Sequence, residues 1–141
     1  MLKVLKQNIL YLAFAQSLVA TLGSLFFSEV MKFPPCVLCW YQRIAMYPLV
    51  LIIAVGILKK DKLLPYYVLP LSLTGLAISI YHNLLYYKIL PESAAPCLLG
   101  VSCTTKFFAR FGFITIPFLS LTTFAIITAC MLVYLKGVRS K

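Results

Sequence analysis

Acidic side chains are almost missing from this sequence. Asp61, Glu29 and Glu92 are the whole set in 141 residues, against 13 lysines and arginines. They form none of the close carboxylate pairs that acid–base hydrolysis uses. Charged residues of both signs make up only 11% of the chain, where a soluble globular domain carries about a quarter. That shortage excludes a water-soluble globule, and 62% hydrophobic residues with a mean hydropathy of +0.98 indicate an integral membrane protein. There is no repeat, low-complexity tract or glycine-rich phosphate loop. A net charge of +10 would suit nucleic acid if it were clustered, but the basic residues are scattered at the ends of apolar stretches. Lipid headgroups are their natural partners there, and no nucleic acid is implied.

Four apolar stretches are present, from Ile9 to Phe27, Trp40 to Leu58, Leu64 to Tyr87 and Phe113 to Leu135. Each is long enough to cross about 30 Å of hydrocarbon at about 1.5 Å per residue. Ala13-Phe14-Ala15 imitates a signal-peptide cleavage site, yet Lys6, Gln7 and Asn8 leave too short an apolar core before it. The first stretch is therefore expected to stay as a span. The predicted fold is an all-α membrane protein, an antiparallel bundle of four transmembrane helices forming one domain over residues 1–141. Gln16, Ser17, Thr21 and Ser24 in the first span are expected to join helix to helix, and Pro65 and Pro70 to lie in the first turn of the third.

An even number of spans puts both termini on the side of the short turn Lys59-Lys60-Asp61-Lys62. That side gathers Lys3, Lys6, Lys59, Lys60, Lys62, Lys136, Arg139 and Lys141, eight of the 13 basic residues. The positive-inside rule makes it cytoplasmic. Cys36, Cys39, Cys97 and Cys103 then face outward, where disulfides persist, and Cys130 lies near the inner end of the last span.

Pro34-Pro35-Cys36-Val37-Leu38-Cys39-Trp40-Tyr41-Gln42-Arg43 is the stretch that carries chemistry. The two prolines lead into a helix, so both sulfurs sit at a helix N-terminus, whose partial positive charge favours the thiolate. Arg43 follows Cys39 by four residues, one turn deeper on the same face. An arginine inside a span costs about 2.5–3.5 kcal/mol on insertion scales, and a snorkelling anchor is the bland reading of it. His82, the single histidine, falls about a turn and a half inside the same end of the third span, beside an interfacial belt of Tyr81, Tyr86 and Tyr87.

Between the third and fourth spans runs the one substantial loop, Lys88 to Gly112. Its Cys97 and Cys103 could close a small ring, with Gly100 allowing the reversal. Lys106, Phe107, Phe108, Arg110 and Phe111 have the mixture of a short helix lying in the headgroup plane. Four cysteines on one face admit a static scaffold, a metal site for zinc or copper, or two disulfides exchanging electrons in series. The exchangeable C-x-x-C spacing speaks against a scaffold. The six-position separation of the second pair, with no histidine in either loop, speaks against a zinc cage. A metal-binding assembly factor stands as the alternative function.

C-V-L-C-W-Y-Q-R at the outer end of the second of four spans resembles the disulfide-bond protein B family (DsbB), in particular its short Gram-positive (BdbC-like) members. The resemblance covers the whole chain in span count, topology and the position of both cysteine pairs. It implies a membrane thiol:quinone oxidoreductase that re-oxidises an extracytoplasmic thioredoxin-like thiol oxidase of the DsbA/BdbD kind. By that resemblance Cys97 and Cys103 exchange with the partner, and Cys36 and Cys39 pass electrons on. Arg43 contacts a membrane quinone, menaquinone in a Gram-positive cell membrane, while Tyr41 and His82 line its pocket. The second pair is closer together here than in the longer members of the family. A vitamin K epoxide reductase-like protein is the rival within the same chemistry, but its C-x-x-C closes a late span rather than opening the second.

Overall fold

The computed structural model describes residues 1–95, 97, 102–104 and 115–140. Four helices run through them: α1 over Leu2–Leu25, α2 over Val37–Lys59, α3 over Leu64–Tyr86 and α4 over Ile116–Arg139. There is no strand among the described residues. Each helix is long and apolar enough to span a membrane, the 23 residues of α2 or α3 alone reaching about 34 Å. The chain is thus a multi-pass membrane protein.

Hydropathy marks the hydrocarbon depth, whereas backbone hydrogen bonding continues into the headgroup region, so α1, α2 and α4 overrun their apolar stretches at one end or both, while α3 matches its own to within one residue. α1 begins at Leu2 rather than Ile9, and α4 ends at Arg139 rather than Leu135, with Lys136 and Arg139 in its last turn. Cations there complement the negative end of the helix dipole. α2 begins at Val37, three residues ahead of Trp40, because Cys36 caps it in an extended conformation and its sulfur accepts from the Cys39 N–H. Pro65 lies in the first turn of α3 as expected, whereas Pro70 lies inside the helix. A proline there removes one backbone bond without stopping a helix whose neighbours hold it. At its far end α1 passes into a wide π-type turn over Phe26–Val30. The proposed headgroup helix of Lys106, Phe107, Phe108, Arg110 and Phe111 lies outside the described residues.

The helices form a closed square in which α1 packs on α2 and α4, and α3 packs on α2 and α4. Leu49 and Ile53 of α2, Val68 of α3, and Phe124, Ile127 and Met131 of α4 make its fully buried centre. Gly75 of α3 lies directly against the Phe124 ring. Polar threads tie the wall together: Gln16 donates to Thr123 at 3.2 Å, Thr128 to Ser72 at 3.1 Å and Asn83 to the Pro117 carbonyl at 2.9 Å. Bonds of this sort are worth about 0.6 kcal/mol each in membranes. Val19, Leu51, Leu58, Leu73 and Val133 point outward and are exposed, as a lipid-facing surface requires.

A second, smaller apolar cluster occupies the end of the bundle away from the termini. Leu38 and Leu85 enclose Cys36, Cys97 and Cys103 there, with Ala95 from the loop. Cys36, Cys97 and Cys103 are thereby buried.

Candidate functional site

Cys36 lies ahead of the span and is 5% exposed, while Cys39 is half-buried one turn further in. Their sulfurs are 2.9 Å apart and unbonded, which is the reduced form of the pair. Cys97 and Cys103 are joined as a disulfide, closing the small ring, whose residues 98–101 lie outside the described set. The chain before the ring is tied to α3, and the chain after it to the loop that follows α3. The Tyr81 hydroxyl donates to the Ala94 carbonyl, and the Thr104 hydroxyl donates to the Glu92 carboxylate at 2.8 Å.

These ties bring the two pairs together, with the sulfurs of Cys36, Cys97 and Cys103 all within 4.8 Å of one another. His82, 2% exposed, sits at the junction. Its Nε2 is 3.2 Å from the Cys103 carbonyl oxygen and 3.8 Å from Cys36 Sγ. Its other ring nitrogen faces the Gln42 amide at 3.3 Å. Cys36, Cys39 and His82 also place three donor atoms within 4.8 Å of one another.

The Cys36 thiol is brought down from about 9 to about 4. The largest cause is the hydrogen bond with Cys39, whose S–H is the donor once Cys36 ionises; burial opposes it, and His82 adds to it. At neutral pH Cys36 is a thiolate whenever the pair is reduced. A low-pKa sulfur is a good leaving group in disulfide exchange.

Arg43 lines the inner side of the site. One of its N–H groups donates to the Ser24 carbonyl of α1 at 3.0 Å, and the guanidinium lies 5.5 Å from the centroid of the Trp40 ring. The contact is a cation–π one and steadies the charge near the membrane surface. Beneath the sulfurs opens a cavity of about 340 Å³ bounded mainly by α1, α2 and α4, with His82 of α3 and Cys103 of the loop also on its wall. Cys36, Cys39, Arg43 and His82 are on its wall, together with Met46, Tyr47 and Phe124. Val19 and Leu119 line it and are also exposed, so it reaches the outer surface of the bundle between α1 and α4.

Of the residues singled out from sequence, the structure thus gathers Cys36, Cys39, Cys97, Cys103, Arg43 and His82. Tyr41 is different: it is half exposed and does not line the cavity. Tyr47, one and a half turns deeper, lines it instead and buries its hydroxyl without a partner among the described residues. Sequence reasoning passed over Gln42, which is 7% exposed. A polar amide in the first turns of a span was the available signal, since such groups are seldom placed there without an interior partner.

A four-span membrane bundle that holds a C-x-x-C pair against a second, disulfide-forming pair has the form of a thiol–disulfide exchange protein. The comparisons agree with that class. The family model for "Disulfide bond formation protein DsbB" matches residues 6–134, and the chain belongs to this family. "Probable disulfide formation protein C 1" of Bacillus anthracis is 48% identical over 129 residues, covering 91% of this chain and 92% of its own. "Disulfide bond formation protein C" of Bacillus subtilis (strain 168) is 47% identical over 132 residues, covering 94% and 95%. No solved structure matches the chain significantly. The protein is a disulfide-generating membrane oxidoreductase.

Proposed function

We propose that the chain acts as one membrane-embedded thiol:quinone oxidoreductase that re-oxidises an extracytoplasmic thioredoxin-like oxidase. The observation that carries this reading is the single cavity wall on which Cys36, Cys39, His82, Cys103 and Arg43 all appear. Both cysteine pairs face outward and the termini inward, as the distribution of lysine and arginine favours.

A thiolate of the reduced partner attacks the Cys97–Cys103 disulfide and forms a mixed disulfide. Its second thiol resolves that bond, leaving the partner oxidised and both loop sulfurs reduced. One loop thiolate then attacks Cys36 of the Cys36–Cys39 disulfide, and Cys39 departs with the electron pair. The other loop thiol closes the ring and expels Cys36 as a thiolate. Two electrons and two protons have moved from the loop pair to the inner pair. Depression of the Cys36 thiol favours its expulsion and pulls the exchange inward.

The residues present fit a quinone. A planar, mostly apolar ring system suits a cavity of about 340 Å³, a size usual for small-molecule sites, and Arg43 and His82 offer polar N–H groups on its wall. A bound membrane quinone, menaquinone in a Gram-positive cell, would accept the electron pair from the inner dithiol. Arg43 places a fixed cation beside Cys39 in a poorly solvated site, where it stabilises negative charge more than it would in water.

The three-donor cluster of Cys36, Cys39 and His82 favours a second reading, in which the outer face holds zinc or copper. Purified protein in a lipid nanodisc, supplied with a reduced DsbA-like partner and a menaquinone analogue, separates the two. Partner oxidation that requires the quinone and disappears in Cys39→Ser supports the proposal. Stoichiometric bound metal with no quinone-dependent turnover overturns it.

A further inference from the structure

Gln42 enters neither the sulfur exchange nor the charge chemistry, yet it is buried with its amide turned onto His82. The two hydrogen-bond partners of the ring decide its protonation between them. A carbonyl oxygen can only accept, so the 3.2 Å contact with Cys103 requires the proton on Nε2. A neutral ring then has a bare Nδ1, which needs a donor, and the Gln42 NH2 stands 3.3 Å from it. We propose that Gln42 is a positioning residue that holds His82 as the neutral Nε2–H tautomer, with this N–H aimed between the Cys103 carbonyl and Cys36 Sγ.

The arrangement links the loop to the inner sulfur. While the ring of Cys97 and Cys103 is closed, the Nε2–H is shared between the Cys103 carbonyl and Cys36. When the loop moves during exchange, the same N–H is released to Cys36 alone. The imidazole keeps its orientation because Gln42, on the helix that Cys36 caps, holds the opposite nitrogen. Without Gln42 the ring can turn over and present a lone pair to the sulfur, which would repel a thiolate instead of supporting it. The groups facing Cys36 are Cys39 and, deeper, Arg43 from α2, His82 from α3, and the Cys97–Cys103 disulfide from the loop. An effect of Gln42 on Cys36 therefore passes through His82.

The consequence for Cys36 rests on the exchange route proposed above, whereas the tautomer does not. Because the chain has one histidine, nitrogen NMR of histidine-labelled protein reports this ring alone. The inner pair is kept reduced with the ring closed, near neutral pH in a nanodisc. The expected wild-type spectrum has one protonated nitrogen, assigned to Nε2, and one bare nitrogen, Nδ1. Gln42→Leu should lose that preference and show both tautomers. Gln42→Glu, which offers only acceptors when ionised, should give a ring protonated on both nitrogens. The midpoint for alkylation of Cys36, followed by peptide mass spectrometry, should rise in Gln42→Leu, the thiolate's proton affinity increasing about three- to tenfold, the scale of one ordinary net hydrogen bond. A wild-type ring protonated on Nδ1 alone, or on both nitrogens, overturns the proposal. An unchanged tautomer in Gln42→Leu, or an unchanged Cys36 midpoint, overturns it as well. Should Gln42→Leu fail to fold, the wild-type and Gln42→Glu spectra still decide. Failure of quinone turnover would leave the ring pattern untouched, so the two readings fail separately.

Discussion

At the residue scale the proposed chemistry rests on two side chains, Cys36 by losing a proton and Arg43 by never losing one. With its thiol held near 4 instead of near 9, Cys36 in the reduced protein stays ionised throughout the physiological range. Its alkylation rate should be nearly flat from about pH 5 to 8 and fall about tenfold per unit below the midpoint near 4. An ordinary thiol would instead show a rate climbing through that whole range. A folded-state value lowered in this way adds stability that is complete above about pH 9, shrinks through the window between, and is lost as pH falls through about 4. Thermal unfolding of the reduced protein across that window should show it, and the form with a closed Cys36–Cys39 disulfide should not. Arg43 gives one of its five N–H groups to Ser24, leaving the rest of the fork to the cavity it lines. Replacing it with Met should slow the quinone step by about 100- to 1000-fold, while exchange between partner and loop in a single turnover stays near normal. Lysine keeps the charge without the planar fork, so Arg43→Lys should fall between the two. If quinone kinetics in Arg43→Met match wild type and only the protein level falls, the side chain is an interfacial anchor.

At the scale of elements, the approach of α3 to α4 depends on one missing side chain. A Cβ on Gly75 would overlap the Phe124 ring, which is fully buried and cannot swing aside. Gly75→Ala should destabilise the bundle by about 1–3 kcal/mol, read as a lowered unfolding midpoint in detergent. Gly23 on α1 is the control, because a Cβ there meets nothing within 4 Å, and Gly23→Ala should carry no steric cost. Equal midpoints for the two variants would refute the close packing. Elements were also where the sequence was most informative. Long apolar runs flanked by lysines leave a membrane helix little alternative, and the Pro-Pro-Cys lead-in marked the start of α2. The helix ends were less legible, since hydropathy is blind to turns that continue through Lys3 or Lys136, and Pro70 looked like a first-turn residue although it lies inside α3. His82 and Arg43 could be placed at one depth from their counts alone. That His82 reaches Cys36 and the loop, that Gln42 backs it, and that Tyr41 turns outward while Tyr47 turns in all depend on helix rotation, which four nearly uniform apolar faces do not encode.

The whole molecule has two unlike ends, a basic one with both termini and an apolar one with two cysteine pairs, and its function depends on which faces out. In a cysteine-less background, an impermeant maleimide applied to intact cells should label Ser93→Cys, which is exposed near the sulfur end, and spare Lys62→Cys, which is exposed at the basic end. The reverse pattern would invert the protein and leave the pairs facing a reducing compartment. The proposed electron flow between the pairs needs a further event at this scale, a bond between a loop sulfur and Cys36. The three sulfurs within 4.8 Å of one another put that bond within reach of a small loop movement, whereas Cys39 is not part of this three-sulfur group. A variant lacking Cys39 and Cys97 should therefore close an intramolecular Cys36–Cys103 disulfide on mild oxidation, and one lacking Cys39 and Cys103 should close Cys36–Cys97. The variant lacking Cys36 and Cys97 retains Cys39 and Cys103 and should stay largely reduced under the same conditions. Proteolysis without reductant, followed by mass spectrometry of the linked peptides, distinguishes the three. Efficient cross-linking of Cys39 to the loop, with Cys36 left free, would show that the inner sulfur receives the loop directly and would reverse the proposed order of exchange.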